Sequence, residues 1–197
     1  MRVRILVDFW NLQLAWNEFH PTRLKIPWAT RFTDVLTRHA GDDAVYTGCN
    51  VYASVDPHKP ADAGLRRFLH AMKGFPGYHV TVKERKPREG FRCPHQECRK
   101  PILECPHCER VLRRTVEKGV DTALATDLVE LAVDNLFDSA ILVSADADFV
   151  PAVELVQKRT GKRVIHAYFR PKGQDLRNSC WSHLYLDDLM DQLMGSS

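Results

Sequence analysis

A short apolar run that ends in two carboxylates is the feature that most constrains this chain. Residues 140–143 read Ala-Ile-Leu-Val, and Asp146 and Asp148 follow shortly after. A run of this length without polar alternation is typical of a strand that is buried on both faces of a parallel sheet. In an open α/β sheet, ligands bind just beyond the carboxyl ends of the strands, which is where these two residues are expected. We therefore expect the fold to bring other carboxylates to this edge.

The order of strand and helix signals predicts an α/β domain with a parallel central sheet and helices on both faces. Asn11 is placed as the N-cap of the first helix, and Gly161 follows a later one. Strands are predicted at residues 3–8, 44–55, 78–82, 139–143 and 162–169. Helices are predicted at residues 12–19, 28–39, 60–75, 122–136, 149–159, 174–180 and 184–194.

Four carboxylates fall at the predicted strand and helix ends. Asp8 ends the first strand, Asp121 begins the long fourth helix, and Asp146 and Asp148 follow the fourth strand. Neighbouring parallel strands lie about 4.8 Å apart, so carboxylates at their ends can share a divalent cation. Mg²⁺ prefers a few carboxylates with retained waters, and it can activate water for phosphodiester hydrolysis. Strand-end Asp residues are also ordinary helix caps, so no single one of the four establishes a metal site.

Three short segments contain these polar residues. They are Asp8-Phe9-Trp10-Asn11, Lys118-Gly119-Val120-Asp121 and Ser144-Ala145-Asp146-Ala147-Asp148-Phe149. In order and spacing they resemble the motifs of the NYN domain family of PIN-like nucleases, with the bacterial LabA-type branch the most similar. The resemblance covers nearly the whole chain except residues 85–114. It implies a Rossmann-like three-layer α/β fold and an Mg²⁺- or Mn²⁺-dependent ribonuclease, specifically an endoribonuclease.

The resemblance also implies roles for individual residues. The metal ligands would be Asp8, Asp121, Asp146 and Asp148, and the neighbouring polar groups of the catalytic site would be Asn11 and Ser144. Lys118 would hold the turn before Asp121 or contact a phosphate. Asp127 matches the family pattern too, but six residues along a helix turn it away from Asp121, so it ranks lower.

Residues 85–114 are interpreted as an insertion between the two parts of the catalytic domain, residues 1–84 and 115–197. Cys93, Cys98, Cys105 and Cys108 give the spacing C-x4-C-x6-C-x2-C, which predicts a tetrahedral Zn²⁺ site. Four thiolates leave no open position for water, so the zinc would be structural and would hold a segment that has few apolar residues. Cys49 and Cys180 stand alone in apolar surroundings and are predicted to be buried small hydrophobic residues.

The positive charge of the chain is concentrated in and beside the insertion. Residues 83–118 contain 11 Lys and Arg against 6 Asp and Glu, whereas the whole chain has a net charge of +3. The predicted nucleic-acid contacts are Arg88, Arg92, Arg113, Arg114 and Lys118. The expected partner is RNA, single-stranded or structured, with DNA as the other candidate. A charge run is more often only a solvated face, and these cations would also neutralise the zinc thiolates.

Two other functions remain open from the sequence. The domain could be a nucleic-acid-binding regulatory module that does not cleave, or a phosphatase with Asp146 as nucleophile and Asp148 as acid. The phosphatase is disfavoured because the two residues follow a late strand. A nucleotide hydrolase and a serine esterase lack support, because the chain has no glycine-rich phosphate loop and no Gly-x-Ser-x-Gly motif. No signal peptide or membrane-spanning run is visible, so a cytoplasmic location without a membrane partner is expected.

Overall fold

The computed structural model describes residues 1–19, 25–93 and 95–195, with residues 87–89, 113 and 114 described for their backbone alone. Strands and helices are numbered in chain order. The strands are β1 (Arg2–Asp8), β2 (Val45–Val55), β3 (Tyr78–Glu84), β4 (Lys86–Glu89), β5 (Phe91–Arg92), β6 (Pro101–Ile102), β7 (Arg113–Val116), β8 (Ser139–Val143), β9 (Arg163–Tyr168) and β10 (Ser182–Tyr185). The helices are α1 (Phe9–Phe19), α2 (Arg31–His39), α3 (Asp62–Met72), α4 (Val120–Val133), α5 (Val150–Thr160), α6 (Gln174–Ser179) and α7 (Met190–Met194).

A six-stranded sheet in the order β10-β9-β8-β1-β2-β3 forms the centre of the domain, and every neighbouring pair is parallel. The chain first moves outward from β1 to β3 and later returns to β8 on the other side of β1. In such a doubly wound sheet, the two strands at the reversal leave a crevice at their carboxyl ends. The predicted three-layer α/β fold is confirmed.

The two faces of the sheet have separate hydrophobic cores because successive side chains of a strand point to opposite faces. Ile5 and Val7 pack with residues of α1, α2, α3 and α7, whereas Leu6 packs with residues of α4, α5 and α6. All three of these side chains are fully buried. The alternation in β1 therefore fixes which helices cover which face.

The register of the central strands places the predicted site residues at one edge. Val7 pairs with Val143, so Asp8 at the end of β1 is level with Ser144, the first residue after β8. On the other side, Asp8 pairs with Tyr52 of β2. The carboxyl ends of β1 and β8 thus meet at the reversal of strand order.

Two predictions about local structure were wrong. Residues 182–185 form the short edge strand β10, although helix was predicted from residue 184. This strand pairs with β9 on one side only, and a four-residue edge strand carries too short a pattern to be distinguished from helix. Asn11 is not an N-cap, because α1 begins at Phe9.

The segment between β3 and α4 leaves the central sheet. Strands β4 and β7 form an antiparallel stem, and β5 and β6 form a second antiparallel pair beyond it. Several large apolar side chains between β4 and β7 are exposed, among them Leu103 and Val111. Apolar burial therefore contributes little to the stability of this segment.

No helix within the three described ranges is both long enough and apolar enough to cross a lipid bilayer.

We expect Leu142→Ala to lower the free energy of unfolding by about 2–5 kcal/mol, because Leu142 is fully buried and its truncation leaves a cavity. Leu155 on α5 is 44% exposed, so Leu155→Ala serves as the matched control and should have a much smaller effect. Urea denaturation of both variants measures the difference. Equal losses in the two variants would contradict the core described above.

Candidate active site

Asp8 is the buried carboxylate of the edge where β1 and β8 end. Its exposed fraction is 6%. Oδ1 accepts a hydrogen bond from the backbone N–H of Asn11 at 3.2 Å, and Oδ2 accepts one from the Ser144 hydroxyl at 3.4 Å. The first bond satisfies a free N–H in the first turn of α1, so Asp8 itself caps the helix.

Asn11 connects the two strand ends instead of capping a helix. Its side-chain oxygen accepts a hydrogen bond from the backbone N–H of Ala145 at 3.0 Å. Its backbone carbonyl accepts one from the hydroxyl of Tyr168 at 2.7 Å. The start of α1 is thereby tied both to the turn after β8 and to β9.

The turn after β8 is held by its own polar side chains. The Ser144 hydroxyl accepts a hydrogen bond from the Asp146 backbone N–H at 3.2 Å. Asp146 Oδ1 accepts one from the Asp148 backbone N–H at 2.9 Å and so caps the 3₁₀ turn Ala147–Phe149. The helix-cap interpretation is thus correct for Asp8 and Asp146. A carboxylate has about four lone-pair sites, so capping leaves both residues able to bind a cation.

Asp121 approaches the same edge from α4. It lies in the first turn of that helix, two residues after Gly119, whose φ of 80° is readily adopted only by glycine. The pKa of Asp121 is raised, first by partial burial and then by the negative charges of Glu117, Asp146 and Asp148. Asp121 therefore lies within electrostatic reach of all three carboxylates.

The pKa of Asp8 is raised to about 7, mainly by burial and also by the charges of Asp121 and Glu117, although the hydrogen bonds from Asn11 and Ser144 lower it. The opposing charge that would normally stabilise such a group is not supplied by the described residues, because no Lys or Arg among them forms an ion pair with Asp8. A hard divalent cation would supply it.

The carboxylates are close, but they are not gathered into a finished ligand shell. Within residues 1–19, 25–93 and 95–195, no three side chains of His, Cys, Asp or Glu converge tightly enough to form a metal site. The donor set nevertheless fits Mg²⁺ or Mn²⁺, since both accept carboxylate oxygens and retain waters in place of missing protein ligands.

A cleft of about 850 Å³ begins at this edge. Asp121 and Asp148 line its mouth, and it continues between α4 and α5 as far as Val133 and Leu155. Both carboxylates at the mouth are exposed, so the acidic edge is accessible to a large substrate.

The lower-ranked Asp127 has a structural contact. Its Oδ2 accepts a hydrogen bond from the hydroxyl of Tyr52 at 2.7 Å, which joins α4 to β2. Lys118 and Arg92 are exposed, and Arg92 donates to the backbone carbonyl of Arg99 at 3.4 Å. The side chains of Arg88, Arg113 and Arg114 lie outside the described part of the protein.

All four cysteines of the insertion are free thiols that face solvent at least in part. Cys49 is fully buried and Cys180 is half-buried, and burial raises the pKa of both thiols, to about 12 for Cys180. These two residues are therefore thiols rather than thiolates at neutral pH.

Sequence reasoning missed two residues next to the acidic edge. His166 of β9 is 1% exposed, and its Nε2 lies 2.8 Å from the carbonyl oxygen of Ser144. Burial lowers the pKa of His166 to about 4, so the ring is neutral and Nε2–H donates to that carbonyl. Glu117 acts on Asp8 and Asp121 through its charge. His166 is hidden inside an ordinary strand pattern, whereas Glu117 directly precedes the Lys118 motif and was detectable by that position.

A family model matches most of the chain. The model of the NYN domain matches residues 2–187. The chain belongs to the NYN domain family. NYN domains are PIN-like nucleases, so a domain of this kind acts on nucleic acid. The match spans the insertion as well as the acidic edge.

The fold is also similar to a solved structure, the crystal structure of a protein of unknown function, VPA0982, from Vibrio parahaemolyticus RIMD 2210633. The two chains are 21% identical with a TM-score of 0.58, and the similarity covers 95% of this chain and 93% of the other. At this identity the likeness concerns the fold alone. No curated protein matches the sequence of this NYN domain.

The raised pKa of Asp8 makes stability depend on pH in a defined direction. The folded carboxyl holds its proton more tightly than the unfolded one, so its contribution to stability is complete below about pH 4 and is lost as the pH rises through about 7. In EDTA at pH 8, Asp8→Asn should raise the free energy of unfolding by about 1–3 kcal/mol.

Urea denaturation at several pH values measures this effect. Near pH 4 the two proteins should be equally stable, because wild-type Asp8 is then neutral. A variant that is less stable than the wild type at pH 8 would contradict the electrostatic description of the site.

Proposed function

We propose that this NYN domain is an endoribonuclease that uses Mg²⁺ or Mn²⁺ bound by Asp8, Asp121, Asp146 and Asp148. The observation that carries the proposal is the buried Asp8 carboxylate, whose pKa is raised to about 7 beside two further negative charges. Such an arrangement is costly without a cation and favourable with one. The position of the four carboxylates at the reversal of strand order supports the same conclusion.

The cation would activate a water molecule and stabilise the leaving oxygen during phosphodiester hydrolysis. The protein's own groups would provide the geometry. Ser144 and Asn11 fix the Asp8 carboxylate and the turn that bears Asp146. Asp121 and Asp148 are exposed at the mouth, where a phosphate of the substrate would arrive. Since a surface edge needs no free chain end, it is suited to cleavage within an RNA chain.

The basic insertion supports a polyanionic substrate. Its excess of Lys and Arg lies in the segment that directly precedes Asp121 in the sequence, so a bound RNA could contact both regions. The candidate contacts are Arg88, Arg92, Arg113, Arg114 and Lys118. The alternative is a regulatory module that binds RNA through the same cations but does not cleave it.

Asp146→Asn decides between these two functions. We expect the variant to lose at least about 100-fold in Mn²⁺-dependent RNA cleavage, because losing a direct ligand should cost no less than losing an outer-shell partner. Asp127→Asn is the matched control, since Asp127 contacts Tyr52 and belongs to the same family pattern, and it should retain cleavage.

Labelled RNA and DNA of mixed sequence, incubated with and without Mn²⁺, provide the measurement. RNA binding without any cleavage by the wild type would favour the regulatory module. Cleavage that is equal in Asp146→Asn and the wild type would exclude the proposed site.

We further propose that the insertion binds one structural Zn²⁺ through Cys93, Cys98, Cys105 and Cys108. The backbone N–H groups of His107 and Cys108 donate to the Cys105 sulfur and lower the pKa of its thiol. Zinc binds the thiolate form, so these donors favour metal binding. The chemistry of four sulfurs fits tetrahedral Zn²⁺ and leaves no position for a reacting water.

The two cysteine turns of the insertion share one backbone hydrogen bond and one unusual backbone angle. Before each turn, the N–H of the first cysteine donates at 2.9 Å, from Cys93 to the Lys100 carbonyl and from Cys105 to the Arg110 carbonyl. After each turn, the residue that follows the second cysteine has a positive φ, 46° at Arg99 and 56° at Glu109. The turns differ in length, with four residues between Cys93 and Cys98 and two between Cys105 and Cys108, and each would present a pair of sulfurs to one ion.

Cys105→Ser should reduce the bound zinc from about one ion per chain and loosen the insertion while the central sheet remains folded. Elemental analysis and hydrogen exchange measure the two effects. Cys180→Ser is the control, because Cys180 lies outside the insertion, and it should keep the zinc. Wild-type protein purified without zinc, or with the four cysteines in disulfides, would overturn this proposal.

A further inference from the structure

The two residues that flank the stem of the insertion form an ion pair. The stem pairs Lys86 with Val116, so Arg85 and Glu117 stand at its base. The Arg85 guanidinium lies 3.4 Å from Glu117 Oε2, with both side chains partly exposed. The chain therefore leaves the domain next to Arg85 and returns to it next to Glu117.

Both members of the pair converge on one buried serine of β2. Ser54 is fully buried, and its hydroxyl accepts a hydrogen bond from Arg85 Nε at 2.9 Å and donates one to Glu117 Oε2. Its carbonyl oxygen accepts a bond from Trp10 Nε1 at 2.7 Å, and the Arg85 guanidinium lies 5.2 Å from the centre of the Trp10 ring. The orientations of both charged groups are thus determined by neighbouring side chains.

This cluster adjoins the acidic edge. Ser54 lies two residues beyond Tyr52, which pairs with Asp8, and Trp10 lies two residues after Asp8. Glu117 is also near enough to this edge for its charge to raise the pKa of both Asp8 and Asp121. Arg85, on the other side of Glu117, brings a fixed positive charge to the same place.

We propose that Arg85 and Glu117 belong to the active site, with Glu117 strengthening divalent-cation binding at Asp8 and Asp121 and Arg85 binding the RNA phosphate next to that cation. This inference rests on the function proposed above and adds to it one positioning residue, Glu117, and one phosphate-binding residue, Arg85. Glu117 acts through the carboxylates that hold the cation. In the free protein, Arg85 orients Glu117. When RNA binds, a phosphate replaces the Glu117 carboxylate as the partner of the Arg85 guanidinium, because a phosphate also offers two oxygens in one plane.

An ion pair that only closes the stem would behave differently. Partly exposed ion pairs contribute little to stability. With a purely structural role, removal of either charge would loosen the stem in the same way, so both variants would change cation and RNA binding in the same direction. With the proposed roles, the two charges have opposite effects.

Glu117→Gln and Arg85→Gln test this difference, because glutamine can keep a hydrogen bond to Ser54 while it removes the charge. We expect Glu117→Gln to weaken Mn²⁺ binding about 3- to 10-fold, from the loss of one nearby negative charge, and Arg85→Gln to leave it unchanged or tighten it. RNA binding in EDTA should weaken in Arg85→Gln, with a salt slope reduced by about one, and should not weaken in Glu117→Gln.

Calorimetric titration with Mn²⁺ and RNA binding at several salt concentrations provide these values. The control is Glu154→Gln, an equal change of charge at an exposed position of α5, which should bind Mn²⁺ and RNA as the wild type does. Thermal unfolding of each variant shows whether a change in binding comes from loss of fold.

The outcomes separate this inference from the function on which it rests. If wild-type protein binds Mn²⁺ and Asp146→Asn does not, the proposed metal site stands, and an unchanged affinity in Glu117→Gln overturns the role of Glu117 alone. Changes of the same sign in both variants would assign the pair to stem closure. If wild-type protein binds no Mn²⁺, the metal-dependent function and this inference both fail.

Discussion

The site depends on the hydrogen bonds that join the carboxyl ends of β1 and β8. These strands are neighbours in the sheet, but the helices that follow them, α1 and α5, belong to opposite layers. Beyond the last pair of the ladder, Val7 and Val143, a link between the two turns would have to come from side chains. Asp8, Asn11 and Ser144 supply it through short side chains that bond across the gap. The acidic edge is therefore a product of the sheet topology as much as of its own residues.

This link requires the Asp8 carboxylate to be buried. The free-energy cost of a buried negative charge is therefore concentrated at Asp8. Asp8 is almost completely removed from solvent, beside the negative charges of Asp121 and Glu117. Its hydrogen bonds lower the pKa, but burial raises it by more. Groups with such conflicting environments are typical of functional sites, where a ligand supplies the missing charge. The neutral His166, behind the Ser144 carbonyl, supports the turn without adding a cation that would compete with a metal ion.

The insertion follows different physical rules from the domain that bears it. The central sheet is stabilised by two hydrophobic cores, whereas the apolar residues of the insertion are largely exposed. A short segment with so little apolar burial needs another source of stability, which metal ligation can provide. Its base is attached to the domain by Arg85 and Glu117, next to the carboxylates.

The sequence by itself determined the layers of the fold and the edge at which the candidate site lies. The apolar run before Ser144, the alternation of strands and helices, and the position of Asp8 and Asp146 at strand ends are local patterns, and each follows from the spacing of side chains along the chain. The spacing of the four cysteines along the chain likewise indicated two pairs. Such local patterns could not reveal β10, because a short edge strand has too few residues to show a period.

Only the tertiary structure decided which groups meet. Asn11 has the chemistry of a helix cap, yet its partner is Ala145, more than a hundred residues away in the sequence. His166 and Glu117 reach the acidic edge from β9 and from the base of the insertion. The position of Glu117 before the Lys118 motif suggests a role, but it does not indicate Ser54 as the partner, and the strand pattern around His166 does not indicate Ser144. Strand order brings these groups together, and strand order is set by long-range packing of the two cores. Local sequence therefore specified the polar side chains of the site, and the fold specified their partners.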